Sequence, residues 1–290
     1  MKKFLPIVLL IIVTLSFTFA SCMGQEITPN EPYDMADGIQ SGEFKEIYFT
    51  VASYNIKGGD ATVESIKEIN KNIEDIGADI AGLQEVDNLS KRSGKKDFLG
   101  IFKEGELRNV SYFPLMLKGY GNTYGIASIS KTPFTRTHAF KLPYPYKYEK
   151  NSVEKRIIMH SLVTIDGVQI ALYNTHLSYE DVAMPDGNDL RAAQMQFILE
   201  LLNSDPCPYK IVTGDFNVLN FQEFDIFTDN GYKIVNNSQN KFDTYRGSDI
   251  DFLAIDNIIY SDNLQLQDCG TNDSDSSDHN MLYAKFLTVK

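Results

Sequence analysis

The chain has 290 residues, of which 43% are hydrophobic and 23% are charged, a composition typical of a folded globular protein. This length is sufficient for a large core in a single domain of about 250 residues. The formal net charge of −12 argues against a long polyanion bound along the surface, because such binding needs basic stripes. A local basic pocket is not excluded.

The first 22 residues have the pattern of an export signal. Lys2 and Lys3 precede an apolar run from Phe4 to Phe19, which is shorter than the roughly 20 apolar residues of a membrane-spanning helix. Small residues then precede Cys22, and the ending FASC resembles the lipobox of bacterial lipoproteins, in which the cysteine is lipidated. The alternative is an ordinary cleaved signal peptide. In either case we expect export, and the lipobox predicts attachment to a bacterial membrane in the cell envelope, periplasmic or at the cell surface.

Residues 23–43 contain proline, glycine and acidic residues with little apolar periodicity. We interpret them as a flexible tether between the membrane and a folded domain of residues 44–290. Export would leave Cys207 and Cys269 in a compartment that permits disulfides. The sequence leaves open whether the two cysteines pair or whether Cys207, between two prolines, is a buried thiol.

Helices and strands interleave along the domain. Apolar runs and alternation predict strands at 46–56, 79–86, 112–117, 125–130, 156–165, 168–174, 210–217, 254–260 and 281–287. Apolar residues at spacings of three and four predict one helix from Val63 to Ile76 and another from Leu190 to Leu201. Asp166-Gly167 is a strong hairpin signal. This mixture predicts antiparallel-rich mixed sheets packed face to face with outer helices.

Polar side chains occur at the ends of five of these segments, namely Asn55, Glu85, His176, Asp215 with Asn217, and Asp278-His279. Asp215 and Asn217 point the same way in an extended chain and can face one ligand, although GDFN alone is equally typical of a turn that closes a strand. Carboxylate and carbonyl oxygens suit Mg²⁺. The other two histidines, His138 and His160, do not lie at such ends, and we interpret them as structural.

Six short motifs carry a family resemblance. They are SYNI at Ser53, LQEV at Leu83, YGIASIS at Tyr124, NTHL at Asn174, GDFN at Gly214 and SDH at Ser277, and they occur in this order between Phe49 and Phe286. Each motif is weak alone, but the ordered set is specific. With it, the chain resembles the endonuclease/exonuclease/phosphatase superfamily of DNase I-like, metal-dependent phosphohydrolases. The resemblance implies an α/β four-layer sandwich, in which two packed, mixed, mostly antiparallel sheets are flanked by helices.

The resemblance also implies a role for each site residue. Asn55 and Glu85 would be the metal pair, with Glu85 the direct ligand, and Asp278 is assigned to the metal as well. The implied cofactor is Mg²⁺, with Mn²⁺ or Ca²⁺ as alternatives. His176 would stabilise charge on the phosphate, Asp215 and Asn217 would orient water and phosphate, and His279 would be the general base.

An aspartate should orient the imidazole of His279, and two candidates fit the family pattern. Asp256 is preferred because Ile258, Ile259 and Tyr260 continue as the strand should. Asp251 is the alternative, and its other interpretation is a solvated loop residue.

Two basic residues are assigned to the substrate. Arg156 matches a basic family position and would touch phosphate, the alternative being a surface salt bridge. Arg92 lies in a loop that resembles a substrate-side loop of one branch, the alternative being a solvated charge run. The chain departs from the family pattern at Ile126, where many members have asparagine, and at Lys57, where the branches that include abasic-site DNA repair nucleases have an acidic residue.

The sequence therefore predicts an exported, monomeric, Mg²⁺-dependent phosphodiesterase or phosphatase that acts on a phosphate ester. One alternative is an extracellular nuclease, for which nucleic acid would be a substrate only. The other is a surface binding protein with an inactive version of the fold. The sequence does not choose among a lipid head group, a sugar phosphate, a nucleotide and a polynucleotide.

Overall fold

The structure is a computed structural model that describes residues 33–40, 43–116, 123–145, 153–185, 187–247 and 252–290. Its strands are β1 (Tyr48–Asn55), β2 (Ile80–Asp87), β3 (Asn109–Met116), β4 (Thr123–Ser130), β5 (Phe134–Lys141), β6 (Ile157–Ile165), β7 (Val168–His176), β8 (Lys210–Asp215), β9 (Tyr232–Ile234), β10 (Asp256–Ser261), β11 (Leu264–Asn272) and β12 (Met281–Thr288). Its helices are α1 (Val63–Asp75), α2 (Phe98–Lys103), α3 (Leu190–Ser204) and α4 (Asp225–Thr228), with a 3₁₀ turn at Phe221–Phe224.

The strands form two six-stranded mixed sheets, in the orders β11-β12-β1-β2-β4-β3 and β5-β6-β7-β8-β10-β9. Each sheet contains a central parallel pair joined by a helix, β1–α1–β2 in the first and β7–α3–β8 in the second. The other strand pairs are antiparallel. This confirms the predicted sandwich of two mixed, mostly antiparallel sheets.

Both faces of each sheet are buried, which produces four layers. Successive residues of a strand point to opposite faces. Phe49 and Val51 of β1 therefore enter the core between the sheets, whereas Ala52 and Tyr54 pack with the apolar face of α1. On the second sheet, Tyr173 and Val212 likewise pack in the cluster that contains the apolar residues of α3.

Asn174 of β7 connects the two sheets through hydrogen bonds. Its Nδ2 donates to the carbonyls of Leu83 and Ala127 on the opposite sheet, at 2.9 Å each. Its Oδ1 accepts from Nε2 of Gln84 at 2.7 Å. The sheets approach so closely here that a Cβ on Gly82 would lie 2.0 Å from Oγ1 of Thr213. Glycine at this position is therefore required by space.

All of the predicted strands and both predicted helices are present, with bounds that differ by a few residues, although Leu117 lies outside the described residues. The hairpin at Asp166-Gly167 is confirmed, since both residues adopt the positive φ of its turn type (48° and 86°). Cys207 and Cys269 are both free, and Cys207 is buried. Burial raises the pKa of the Cys207 thiol to about 12.

Residues 33–40, which the sequence places in the tether, lie against the second sheet. The ring of Tyr33 stacks on His138, with 4.2 Å between ring centroids, and its hydroxyl is 2.7 Å from Nδ1 of His160. Arg136 of β5 lies over the same ring, with 4.1 Å between Cζ and the centroid. Both histidines interpreted as structural thus pack against this segment. The signal peptide and Cys22 lie outside the described residues.

No helix in the described part of the chain has the length and apolar character needed to cross a membrane.

Replacing Asn174 with alanine should destabilise the sandwich. The change removes the amide from a buried position and leaves the Nε2 group of Gln84 without one of its partners. We expect the free energy of unfolding to fall by roughly 2–4 kcal/mol, measured by urea denaturation. Asn240→Ala, at an exposed loop position, is the matched control and should change the free energy of unfolding by no more than about 0.5 kcal/mol. Equal stabilities of the two variants would contradict the assigned role of Asn174.

Candidate active site

The polar side chains predicted at strand ends converge at one edge of the sandwich. The parallel pairs β1–β2 and β7–β8 both run toward this edge and deliver Asn55, Glu85, His176 and Asp215. A cavity of about 670 Å³ opens there. Its lining includes Lys57, Glu85, Arg92, Tyr124, Glu154, Arg156, His176, Tyr179, Asp181, Arg191, Asp215, Asn217, Tyr245, Asp278 and His279.

Asp215, the last residue of β8, is the centre of the arrangement. Its side chain is buried, and its Oδ2 accepts a hydrogen bond from Nδ2 of Asn55 at 2.9 Å. The same oxygen lies 3.4 Å from Nε2 of His176 and 3.7 Å from Nε2 of His279. Burial, reinforced by the nearby carboxylate of Asp256, raises the pKa of Asp215 to about 6.

A β-bulge directs Glu85 into the cavity. Leu83 packs under the helices and Gln84 contacts Asn174, so strict alternation would point Glu85 to the helix side with Leu83. The register of β2 against β4 shifts between Leu83 and Val86, and Glu85 adopts a φ of 56°. Bulges of this kind re-aim side chains next to active sites. Burial raises the pKa of Glu85, and the Asp215 carboxylate adds to the effect.

His279 is held by its neighbours on two sides. Its Nδ1 is 2.7 Å from Oδ2 of Asp256, the first residue of β10, which lies opposite Asp215 in the sheet register. The hydroxyl of Ser277 donates to the carbonyl of Asn55 at 2.7 Å and so fixes the SDH segment to the end of β1. Burial disfavours the charged imidazole, but the carboxylate of Asp256 outweighs burial and raises the pKa of His279 to about 9.

The sequence left two candidates for the aspartate that orients His279, and the structure describes one of them. Asp256 is buried and contacts His279 directly. Asp251 lies outside the described residues.

His176 has the opposite electrostatic environment. Nη1 of Arg156 lies 3.0 Å from its Nδ1, and the hydroxyl of Tyr124 lies 3.5 Å from the same nitrogen. Burial, aided by the positive charge of Arg156, holds the pKa of His176 well below its ordinary value. His176 is therefore neutral at neutral pH.

The remaining predicted site residues line the cavity, each with a partner. Nε and Nη2 of Arg92 donate to the buried carboxylate of Asp87 at 2.8 and 2.6 Å. Asp278 pairs with Lys57, at 3.1 Å between Oδ2 and Nζ. Asn217 adopts a φ of 52°, and its Nδ2 donates to the carbonyl of Leu177 at 3.0 Å.

Arg156 does not form a surface salt bridge, which was the alternative interpretation from the sequence. Only 3% of its surface is exposed, and its nearest carboxylate oxygen, Oε2 of Glu154, lies 3.4 Å from Nη2.

Several residues of this edge were not predicted from the sequence, and three of them contact predicted site residues closely. Asp87 anchors Arg92, Tyr124 lies under Arg92 with 4.9 Å from Cζ to the ring centroid, and the ring of Tyr245 packs on that of His279 at 4.8 Å. Tyr124 opens the YGIASIS motif, which was a usable signal. Asp87 directly follows the LQEV motif, but nothing in the sequence relates Tyr245 to His279.

A buried group of side chains within the site is of the kind that could hold a metal ion. Ligand atoms of Asp215, Asp256 and His279 are all within 4.8 Å of one another, close enough to hold a metal ion. Because Nδ1 of His279 is already engaged by Asp256, its Nε2 is the nitrogen left for another partner.

Comparison with known proteins agrees with this geometry. The model of the Endonuclease/Exonuclease/phosphatase family matches residues 52–279. No curated protein sequence matches the chain.

Several solved structures share the fold. An endonuclease/exonuclease/phosphatase from Beutenbergia cavernae has a TM-score of 0.68 at 16% identity, covering 83% of this chain and 72% of that one. A mannosyl-6-phosphatase from Bacteroides thetaiotaomicron has a TM-score of 0.57 at 19% identity, covering 82% and 99%. The TDP2 protein of D. rerio, in complex with a single-strand DNA product, has a TM-score of 0.61 at 15% identity, covering 82% and 98%. At these identities the likeness establishes the fold alone.

Asp256→Asn should lower the pKa of His279 in the metal-free protein. The variant removes the main charge that favours the imidazolium, so we expect a fall from about 9 by about one to three units. The folded-state pKa lies above the ordinary value of 6.5. The stability contributed by this group is therefore complete below pH 6.5 and is lost as the pH rises through 9 in the wild type.

The measurement is an NMR pH titration of the His279 ring protons, with urea denaturation across the same pH range. Asp262→Asn, which changes an exposed aspartate paired with Lys233, is the control and should leave the titration unchanged. A His279 titration that is the same in Asp256→Asn and in the wild type would refute the assignment.

Proposed function

We propose that this chain, which belongs to the endonuclease/exonuclease/phosphatase family, is a metal-dependent phosphoesterase that hydrolyses a small phosphate ester. The observation that carries the proposal is the convergence of two imidazoles and an amide on one buried oxygen of Asp215. Burying these groups together lowers the stability of the fold. A role in hydrolysis would account for their presence. An inactive binding protein would not need it.

The acidic residues of the site fit a divalent cation. Burial raises the pKa of both Glu85 and Asp215, and the negative charge of Asp215 also raises that of Glu85. Buried carboxylates that repel each other are the groups that a hard cation stabilises. Glu85, with Asn55 beside it, would hold the ion, for which Mg²⁺ is the first choice and Mn²⁺ or Ca²⁺ are alternatives. When bound, the ion would supply positive charge to a phosphate oxygen and lower the pKa values of neighbouring groups.

The assignment of Asp278 to the metal stays a prediction. Its carboxylate pairs with Lys57, and it contributes to the raised pKa of His279. Asp278 and Lys57 both line the cavity.

The protein groups have separable roles in hydrolysis. The raised pKa of His279 keeps its ring protonated at neutral pH, so the ring becomes a base only when a bound cation lowers that pKa. With Nδ1 hydrogen-bonded to Asp256, the neutral ring would then present Nε2 to accept a proton from water. Asp215 and Asn217, linked by a hydrogen bond of 3.0 Å from the Asn217 backbone N–H to Oδ1, would orient the water and the phosphate. Neutral His176 would donate a hydrogen bond to charge that develops on the phosphate.

The charge pattern of the cavity favours a small ester over a polynucleotide. Its basic residues are paired with acids, in the pairs Lys57–Asp278, Arg92–Asp87, Arg156–Glu154 and Arg191–Glu223. A polynucleotide site needs unpaired basic groups along a track. The mannosyl-6-phosphatase among the structural relatives supports hydrolysis of a small ester. The TDP2 structure with its DNA product is the reason to include DNA in the substrate screen.

A substrate screen tests the proposed function. The purified protein is assayed on sugar phosphates, nucleotides, lipid head-group phosphodiesters and single-stranded DNA, with Mg²⁺, Mn²⁺ or Ca²⁺ and with EDTA. We expect metal-dependent release from a small ester and a shallow dependence of kcat/KM on salt. Activity confined to DNA with a steep salt dependence would establish the nuclease instead, and no activity on any ester would favour a binding protein.

Glu85→Gln should weaken the metal dependence selectively. The amide keeps the volume but removes the charge that a hard cation needs. We expect kcat/KM at limiting Mg²⁺ to fall by at least roughly 100-fold, while circular dichroism remains that of the wild type. Glu104→Gln, in a groove away from the site, is the control and should retain full activity. An unchanged Mg²⁺ titration in Glu85→Gln would remove Glu85 from the metal site.

Export and anchoring through Cys22 complete the proposal, with a monomeric domain on the membrane surface. The support is the FASC ending after a short apolar run. Cys22→Ser should abolish labelling with a fatty-acid analogue and move the protein from the membrane to the soluble fraction, because the acyl chains supply about 0.8 kcal/mol per buried CH₂. Recovery of unlabelled wild-type protein in the soluble periplasmic fraction would refute the anchor.

A further inference from the structure

Arg156 is the most deeply buried cation of the cavity, and its contacts lead to a histidine rather than to open space. Only 3% of the residue is exposed, and Nη1 lies 3.0 Å from Nδ1 of His176. Nη2 lies 3.4 Å from Glu154, and Nε has no hydrogen-bond partner among the described residues. Burying a guanidinium that is incompletely paired lowers the stability of the fold, which favours a functional role for Arg156.

The contact with His176 determines which ring nitrogen carries the proton. A guanidinium has only donors and stays protonated at any physiological pH. Nδ1 of His176 must therefore accept, which leaves the single proton of the neutral ring on Nε2. That nitrogen faces Oδ2 of Asp215 at 3.4 Å, longer than an ordinary hydrogen bond.

The surrounding groups reinforce this arrangement. The hydroxyl of Tyr124 lies 3.5 Å from Nδ1 and also interacts with the Arg156 guanidinium. A second proton would put an N–H on Nδ1 at 3.0 Å from the Arg156 guanidinium, donor against donor, so the ring stays singly protonated.

We propose that Arg156 is a positioning residue, which fixes His176 in the Nε2–H tautomer and so aims a neutral hydrogen-bond donor at the reacting phosphate. The inference deepens the proposed phosphoesterase function and rests on it for its kinetic consequences. It differs from direct phosphate binding by Arg156, in which the guanidinium itself would hold the substrate. In that case its loss would weaken ground-state binding and leave His176 unchanged.

The first test needs no variant and no substrate. The ¹⁵N shifts and ring couplings of His176, in ¹⁵N-histidine-labelled full-length protein with and without Mg²⁺, report which nitrogen is protonated. We expect a protonated Nε2 and an unprotonated Nδ1 at neutral pH. A protonated Nδ1 in the wild type would overturn the proposal, whatever the enzyme hydrolyses.

The second test uses Arg156→Met and Arg156→Lys. Methionine fills similar space without a donor, whereas the lysine ammonium can still donate to Nδ1. We expect Arg156→Met to populate the Nδ1–H tautomer or the imidazolium and to lose roughly 100-fold in kcat with KM within a few-fold, as for the loss of one aimed donor. Arg156→Lys should keep the Nε2–H tautomer and most of the rate.

Two results would overturn the proposal. One is an unchanged His176 tautomer in Arg156→Met, with the loss appearing in KM, which would indicate direct phosphate binding. The other is a lysine variant that keeps the tautomer but is as slow as the methionine variant. If no phosphate ester is hydrolysed at all, the proposed function fails, while the tautomer measurements still decide the role of Arg156.

Discussion

The site depends on one buried carboxylate, that of Asp215. It lies at the end of a central strand, where the sandwich provides little water to solvate it, and burial raises its pKa to about 6. The fold compensates with donors aimed at its two oxygens, the Asn55 amide at 2.9 Å and the Asn217 backbone N–H at 3.0 Å. His176 and His279 complete the ring around Oδ2, and each has its own fixed partner, Arg156 and Asp256. These four groups around Asp215 therefore compensate one buried charge.

The sandwich brings these groups together because a parallel pair from each sheet ends at the same edge. Asn174 joins the two sheets just before that edge, two residues ahead of His176 on β7. The link between the sheets and the candidate active site therefore share one strand. Two non-glycine residues of this edge also have a strained backbone. Glu85 and Asn217 both adopt positive φ without being glycine (56° and 52°), a conformation that persists only where the surrounding structure enforces it. The bonds of Gly58 N–H to the Glu85 carbonyl at 2.8 Å and of Asn217 to Leu177 at 3.0 Å provide that enforcement.

The sequence was sufficient for the sandwich, because strands buried on both faces are continuous apolar runs and α1 has a clear apolar stripe. It was not sufficient for β5, whose residues Arg136, His138 and Phe140 form no apolar pattern because the ring of Tyr33 covers them. It was also insufficient for β11, an edge strand with many exposed residues. Strand ends correctly indicated which side chains meet, since parallel strands must end together. Asp87 lies only five residues before Arg92, so their contact is local in the chain. Tyr245 comes from a separate segment, and only the tertiary fold relates it to His279.

The pairing of charges explains how an acidic protein can present a site for an anion. Lys57, Arg92, Arg156 and Arg191 each have an acidic partner, so they shape the cavity without giving it a net positive potential. Among the described residues of the cavity, Glu85 and Asp215 have no lysine or arginine partner, and burial raises the pKa of both. The potential at the end of the strands therefore favours a cation before an anion. A phosphate group would be repelled until that negative charge is compensated. In a phosphoesterase the cation would therefore bind before the phosphate ester, and the buried carboxylates rather than the basic residues of the rim would set this order.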